Sequence, residues 1–173
     1  MKFIFAVLLA AVTSVIATCS SCPAIIPLFR SYDKSVVDHF YTAKASEVVS
    51  AGNLGYSPEG IAAGIFPTQV AESTPLFRLF QVNTTDHAYT ASGIDKADFE
   101  AAGYVLEMTP GFVYTTQICG SVPLYGLFHP RANDHFYTTS TSERNSAMIS
   151  GYTDLGIVAY VPVQGVIIQG NSC

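Results

Sequence analysis

Apolar and polar positions change period in the same order three times along the chain. Residues 28–32 and 38–42 are short aromatic-rich runs separated by a turn at 33–37, the signature of a hairpin. Alternation puts His39 and Tyr41 on one face of the second run and Asp38, Phe40 and Thr42 on the other. A helical pattern follows, predicted near 45–54, 93–102 and 141–150, with Gly55, Gly103 and Gly151 suited to the left-handed position that ends a helix. Ser92 and Ser140 are good N-caps, with Asp95 and Glu143 at the capping-box spacing; the first copy has Lys44 and Glu47, so it keeps the acid and loses the cap. A β-branched strand is predicted to close each unit at 61–66, 109–114 and 157–162.

The period is 48 residues: VDHFYTAK at 37–44 returns as TDHAYTAS at 85–92 and NDHFYTTS at 133–140. Pro27-Leu28-Phe29-Arg30, Pro75-Leu76-Phe77-Arg78 and Pro123-Leu124-Tyr125-Gly126 open the copies, and Gly55-Tyr56, Gly103-Tyr104 and Gly151-Tyr152 fall at the same step. The units run about 27–67, 75–115 and 123–163. One unit is too small to bury its own apolar face, so the three must share a core. The predicted fold is β-rich α+β, a closed pseudo-threefold repeat domain, propeller- or trefoil-like, with one short helix per repeat. Those helices count against a plain trefoil.

Residues 1–17, MKFIFAVLLAAVTSVIA, read as a secretory signal peptide, leaving 18–173 as a single domain with a secreted, extracellular location. No other segment has the apolar length of a membrane span, so no membrane insertion is expected. Loss of Lys2 leaves seven basic residues against thirteen acids, which argues against nucleic acid as a partner. Charged residues make up only 12% of the chain, while Tyr, Ser, Thr and Gly are plentiful. Cys19, Cys22, Cys119 and Cys173 are an even set in an oxidising compartment, so two disulfides are expected. Closure of a ring would split the N-terminal pair, one thiol going to Cys119 and one to Cys173.

The pattern Pro-Leu-aromatic-Arg, then Asp-His-Phe-Tyr-Thr, then Gly-Tyr-x-x-Glu-Gly-Ile-Ala resembles a repeat family of unknown function found in small secreted fungal proteins and bacterial extracellular proteins. The resemblance covers Pro27 to about Pro162. It implies an extracellular accessory role, since similar repeats sit beside secreted hydrolase domains, and it brings no catalytic residues. This chain departs from the pattern at Ala88, Gly126 and Leu155, which replace Phe, Arg and Glu.

The histidine motif admits several readings. As packing hardware, Asp caps the turn, His donates to a carbonyl and Tyr packs with its hydroxyl satisfied. As a site, Tyr faces stack on sugars while Asp and His bind hydroxyls, which makes extracellular glycans the expected partner. The candidate ligand-binding residues are Asp38, His39 and Tyr41, Asp86, His87 and Tyr89, and Asp134, His135 and Tyr137. The expected function is a secreted, non-catalytic, lectin-like module. The alternatives are a structural or host-interaction protein with a purely structural motif, and an extracellular hydrolase. Against the last, neighbouring strand residues face opposite ways, so Asp38 cannot buttress its own His39, and no nucleophile motif is present. No cofactor is called for. A zinc held by His39, His87 and His135 is compatible with equal spacing, but the local spacing is not a recognised ligand pattern. Asn83-Thr84-Thr85 is an N-glycosylation sequon in the second hairpin turn.

Overall fold

The structure is a computed structural model and describes residues 23–163. The expected signal peptide and Cys19, Cys22 and Cys173 lie outside the described residues. The first unit is β1 (Ile26–Asp33), β2 (Asp38–Thr42), α1 (Ala45–Gly52) and β3 (Ser57–Ile65). The second is β4 (Ser73–Gln81), β5 (Asp86–Thr90), α2 (Gly93–Ala101) and β6 (Val105–Tyr114). The third is β7 (Val122–His129), β8 (Asp134–Thr138), α3 (Thr141–Ile149) and β9 (Thr153–Val161). The fold is therefore β-rich α+β with three short helices. No helix among the described residues is long and apolar enough to cross a membrane.

Pairing is antiparallel throughout, in a three-stranded sheet ordered β2-β1-β3 and a six-stranded, curled sheet ordered β5-β4-β6-β9-β7-β8. The six-stranded sheet is joined at its centre by the single pair Tyr114↔Tyr160, and a lone bridge, Phe66↔Phe112, ties the first unit to the second. The closing strands start earlier than the sequence pattern predicts, at Ser57, Val105 and Thr153. They extend because β-bulges absorb the irregularity: register shifts flank Arg30, Arg78 and Gly126 in β1, β4 and β7. Bulges re-aim side chains, and here they set the position that carries Arg in two units.

The helices stop one to two residues short of prediction, yet the glycines do the expected job. Gly55, Gly103 and Gly151 have φ of 109°, 92° and 101°. Each lets the next residue turn back, so that Tyr56, Tyr104 and Tyr152 donate their N–H to the carbonyls of Ala51, Phe99 and Ala147 at 3.0–3.1 Å. The capping Ser hydroxyls accept from Asp95 N and Glu143 N, each at 3.2 Å, and Lys44 supplies no cap. The acids do not complete a reciprocal capping box. They accept instead from the Thr that ends each motif, Thr42 to Glu47 at 2.7 Å, Thr90 to Asp95 at 3.1 Å and Thr138 to Glu143 at 2.5 Å.

Each unit gives the shared core equivalent residues: Leu28, Leu76 and Leu124; Tyr41, Tyr89 and Tyr137; Ile65, Val113 and Val161. All are at most 2% exposed. Each buried aliphatic side chain contributes about 1.5–3 kcal/mol, and a single unit would bury none of them fully.

Candidate functional site

The motif strands β2, β5 and β8 each lie at a sheet edge, yet all fifteen of their residues are buried. An edge strand turns unpaired N–H and C=O groups outward, and burying them without partners is costly. Side chains of the other two copies supply the partners. His39 N–H donates to Asp134 Oδ1 at 2.9 Å, His87 N–H to Asp38 Oδ1 at 2.8 Å, and His135 N–H to Asp86 Oδ1 at 2.9 Å. Two residues on, the N–H groups of Tyr41, Tyr89 and Tyr137 donate to the hydroxyls of Tyr89, Tyr137 and Tyr41 at 2.7–2.8 Å. The aspartates serve the following copy and the tyrosines the preceding one. Every edge is thus held by both other copies.

The ring nitrogens complete this scheme. His39, His87 and His135 place Nδ1 2.7, 2.6 and 2.7 Å from Oδ2 of Asp134, Asp38 and Asp86. The same carboxylates accept the hydroxyls of Tyr152, Tyr56 and Tyr104, at 2.5 Å for the Tyr56–Asp38 pair. Burial first, then the adjacent carboxylate, pushes these three phenols up. Burial likewise raises Tyr41, Tyr89 and Tyr137, whose rings meet edge-to-face at 5.1–5.6 Å between centroids.

The zinc arrangement of three imidazoles is replaced by a different convergence. The carboxylates of Asp38, Asp86 and Asp134, not the histidines, approach one another, with oxygens within 4.8 Å. Each already accepts three hydrogen bonds from protein groups. Asp38 makes no bond to its own His39 and instead orients His87 of the next copy. No Ser or Cys side chain hydrogen-bonds His39, His87 or His135 among the described residues.

The nine candidate ligand-binding residues therefore sit inside: the aspartates are 0% exposed, the tyrosines 1–2% and the histidines 6–8%. Little of the tyrosine faces is left for a ligand to stack on. Asn83 is exposed in its turn, and Cys119 is partly buried with φ of 52°.

Two clefts between copies open toward the motif histidines. In one, of about 370 Å³, Arg30 lies 5.0 Å from the centre of the Phe136 ring and binds Glu59 at 2.7 Å and Glu143 at 3.1–3.2 Å. In a second, of about 450 Å³, Arg78 lies 4.9 Å from the Phe40 ring, with Glu47 and Glu107 each at 2.9 Å. His39 Nε2 and His87 Nε2 face Glu59 and Glu107 at 3.9 and 3.6 Å. Burial pushes Glu47 up, but hydrogen bonds from Thr42 and Arg78 outweigh it and hold the carboxyl down at about 2. Glu143 is also lowered, chiefly by its Arg30 hydrogen bond. These Arg and Glu residues were missed as site residues, although Arg30, Arg78, Glu59 and Glu107 stand in the anchors that recur at the repeat spacing.

No curated protein and no solved structure matches the chain. The family described as "Domain of unknown function (DUF5648)" matches residues 27–162. That span takes in all three hairpins, all three helices and both Arg–Glu clefts, and the chain belongs to this family of unknown function.

Proposed function

We propose that the protein is a secreted, non-catalytic binding module whose three copies close about a pseudo-threefold axis, with extracellular carbohydrate as its ligand class. The ligand contacts lie in the two Arg–Glu–His clefts, and the motif strands beneath act as framework. One observation carries this reading. The polar groups of the motif are consumed by partners in neighbouring copies, while the same Arg, Glu and His constellation lines a cleft twice. Carboxylate and guanidinium groups beside an aromatic ring suit vicinal hydroxyls on a sugar. Two like sites on one body would also add avidity for a repeating glycan.

The experiment is a glycan array with the purified protein, followed by titration of any hit against Arg30→Met and Arg78→Met. Methionine keeps an apolar chain over the ring and removes the charged donors. Binding lost in the double variant, with an intact fold by circular dichroism, supports the reading. No retained glycan at millimolar concentration by ligand-observed NMR overturns it. The burial of all nine motif residues favours the second reading, a structural or host-interaction protein, in that event.

A further inference from the structure

The three departures from the repeat pattern fall on one place, the interface of the second and third copies. Elsewhere that interface is plugged. Arg30 and Arg78 each fill a cleft, stack on Phe136 or Phe40 of the preceding copy, and bridge two acids, Glu59 with Glu143 and Glu107 with Glu47. At the remaining interface the Arg position is Gly126, the Phe position is Ala88 and one acid position is Leu155. The Arg, the Phe and one of the two acids are absent together. The space is a cavity of about 700 Å³, against about 370 and 450 Å³ at the plugged clefts. That lies within the range of small-molecule sites, roughly 300–1,000 Å³.

The other acid position is retained. Asp95 is the counterpart of Glu47 and Glu143, and it accepts from Thr90 as they accept from Thr42 and Thr138. Its basic partner is gone, and no ion pair forms at Asp95 among the described residues. Asp98 joins it in the lining, and no Lys, Arg or His lines the cavity. The walls are apolar, from Phe99, Leu155, Ile157 and Val158, and Leu155 and Ile157 are about half exposed although large and apolar. A Cβ on Gly126 would come within 2.6 Å of Val158 Cγ1 and 3.3 Å of the Tyr137 ring, so a side chain there would have to displace Val158.

We propose that this cavity binds a small organic cation, an aryl- or alkyl-substituted amine or guanidine. Its charged head takes the place of the missing arginine beside Asp95, and its apolar body lies against Phe99 and Leu155. The site is distinct from the two carbohydrate clefts, so it stands whichever way that reading is decided. The test uses the whole chain with two probes, 2-phenylethylguanidinium and the uncharged 2-phenylethylurea, titrated by calorimetry and by amide NMR shifts at low salt. The cation is expected to bind at least about tenfold more tightly than the urea, the scale of a charge-assisted hydrogen bond. Asp95→Asn should remove that advantage and leave urea binding unchanged, since Asn can still accept from Thr90. Leu155→Arg, at an exposed position, supplies an internal cation and should abolish guanidinium binding without lowering the melting midpoint; it also carries the test if Asp95→Asn fails to fold. Arg30→Met and Arg78→Met should leave the affinity unaltered. Equal affinity for the two probes, or guanidinium binding unmoved by Leu155→Arg, overturns the proposal.

Discussion

Removing one phenolic oxygen should weaken the whole molecule. In Tyr41→Phe the ring stays and almost no volume is lost, but Tyr137 loses both edge partners. The Tyr41 hydroxyl accepts from Tyr137 N–H at 2.7 Å and donates to Tyr137 C=O at 2.8 Å. Tyr137 is 2% exposed, so water cannot replace these bonds without opening the core. An unsatisfied buried donor or acceptor costs about 1–3 kcal/mol, and the carbonyl keeps some alternative geometry. The expected loss is therefore about 2–4 kcal/mol, a large share of a typical total of about 5–15. At this chain length that is a fall of roughly 6–12 °C in midpoint. Urea denaturation of Tyr41→Phe, Tyr89→Phe and Tyr137→Phe measures it, and the three variants should lose similar amounts because each hydroxyl caps one edge. Tyr125→Phe, at a partly buried position outside this ring, is the control. A loss below about 0.5 kcal/mol in all three would refute the edge-capping argument, since that is the scatter of ordinary surface changes.

Acid should loosen the clefts first. Glu47 is depressed from 4.5 to about 2 on folding, so its stabilising contribution is complete above pH 4.5 and is lost as pH falls toward 2. Urea midpoints across that window should fall for the wild type and fall less steeply for Glu47→Gln; identical slopes would contradict the assignment. His39→Gln should destabilise more than His39→Asn, by about 1–3 kcal/mol, because only the Asn amide sits where Nδ1 donates to Asp134. Thermal melts with the reverse order would show that the Nδ1 bond is not what matters. Val37 holds φ of 57°, where Asn133 of the third copy sits at 54°. Val37→Asn should therefore raise stability by roughly 1 kcal/mol, read as a higher melting midpoint, and a lower one would place packing above strain.

The repeat, its element types and its turn chemistry were legible because each rests on local rules. Glycine at a helix end, Ser before an acid, and alternation across five residues need no knowledge of neighbours. The closing strands start four residues before the β-branched runs because bulges, with shifts in register around Arg30, Arg78 and Gly126, let the pairing continue through residues that break the alternation. The motif's purpose was harder to see. Asp38 and His39 look like a pair in sequence, but their partners are His87 and Asp134, at separations of 49 and 95 residues. Period-two alternation correctly separated them onto two faces. What alternation does not show is that neighbouring copies cover both faces.

The two sets of residues differ in what a single change costs. An Asp, His or Tyr of the motif bonds into another copy, so altering one exposes a buried edge elsewhere, and all nine are present. A cleft arginine touches one interface only. Losing Arg alone would strand two acids and an aromatic face, whereas with Arg, Phe and one acid all absent the recess keeps the exposed carboxylates of Asp95 and Asp98 beside apolar walls. That is the combination found between the second and third copies, with Phe99 from α2 turned against His135 at 5.3 Å, in the role Phe136 plays against His39 at 4.9 Å. Phe99 is thus an aromatic wall without a cation over it, and Asp95 beside it has no basic partner among the described residues, which is the gap an organic cation fits.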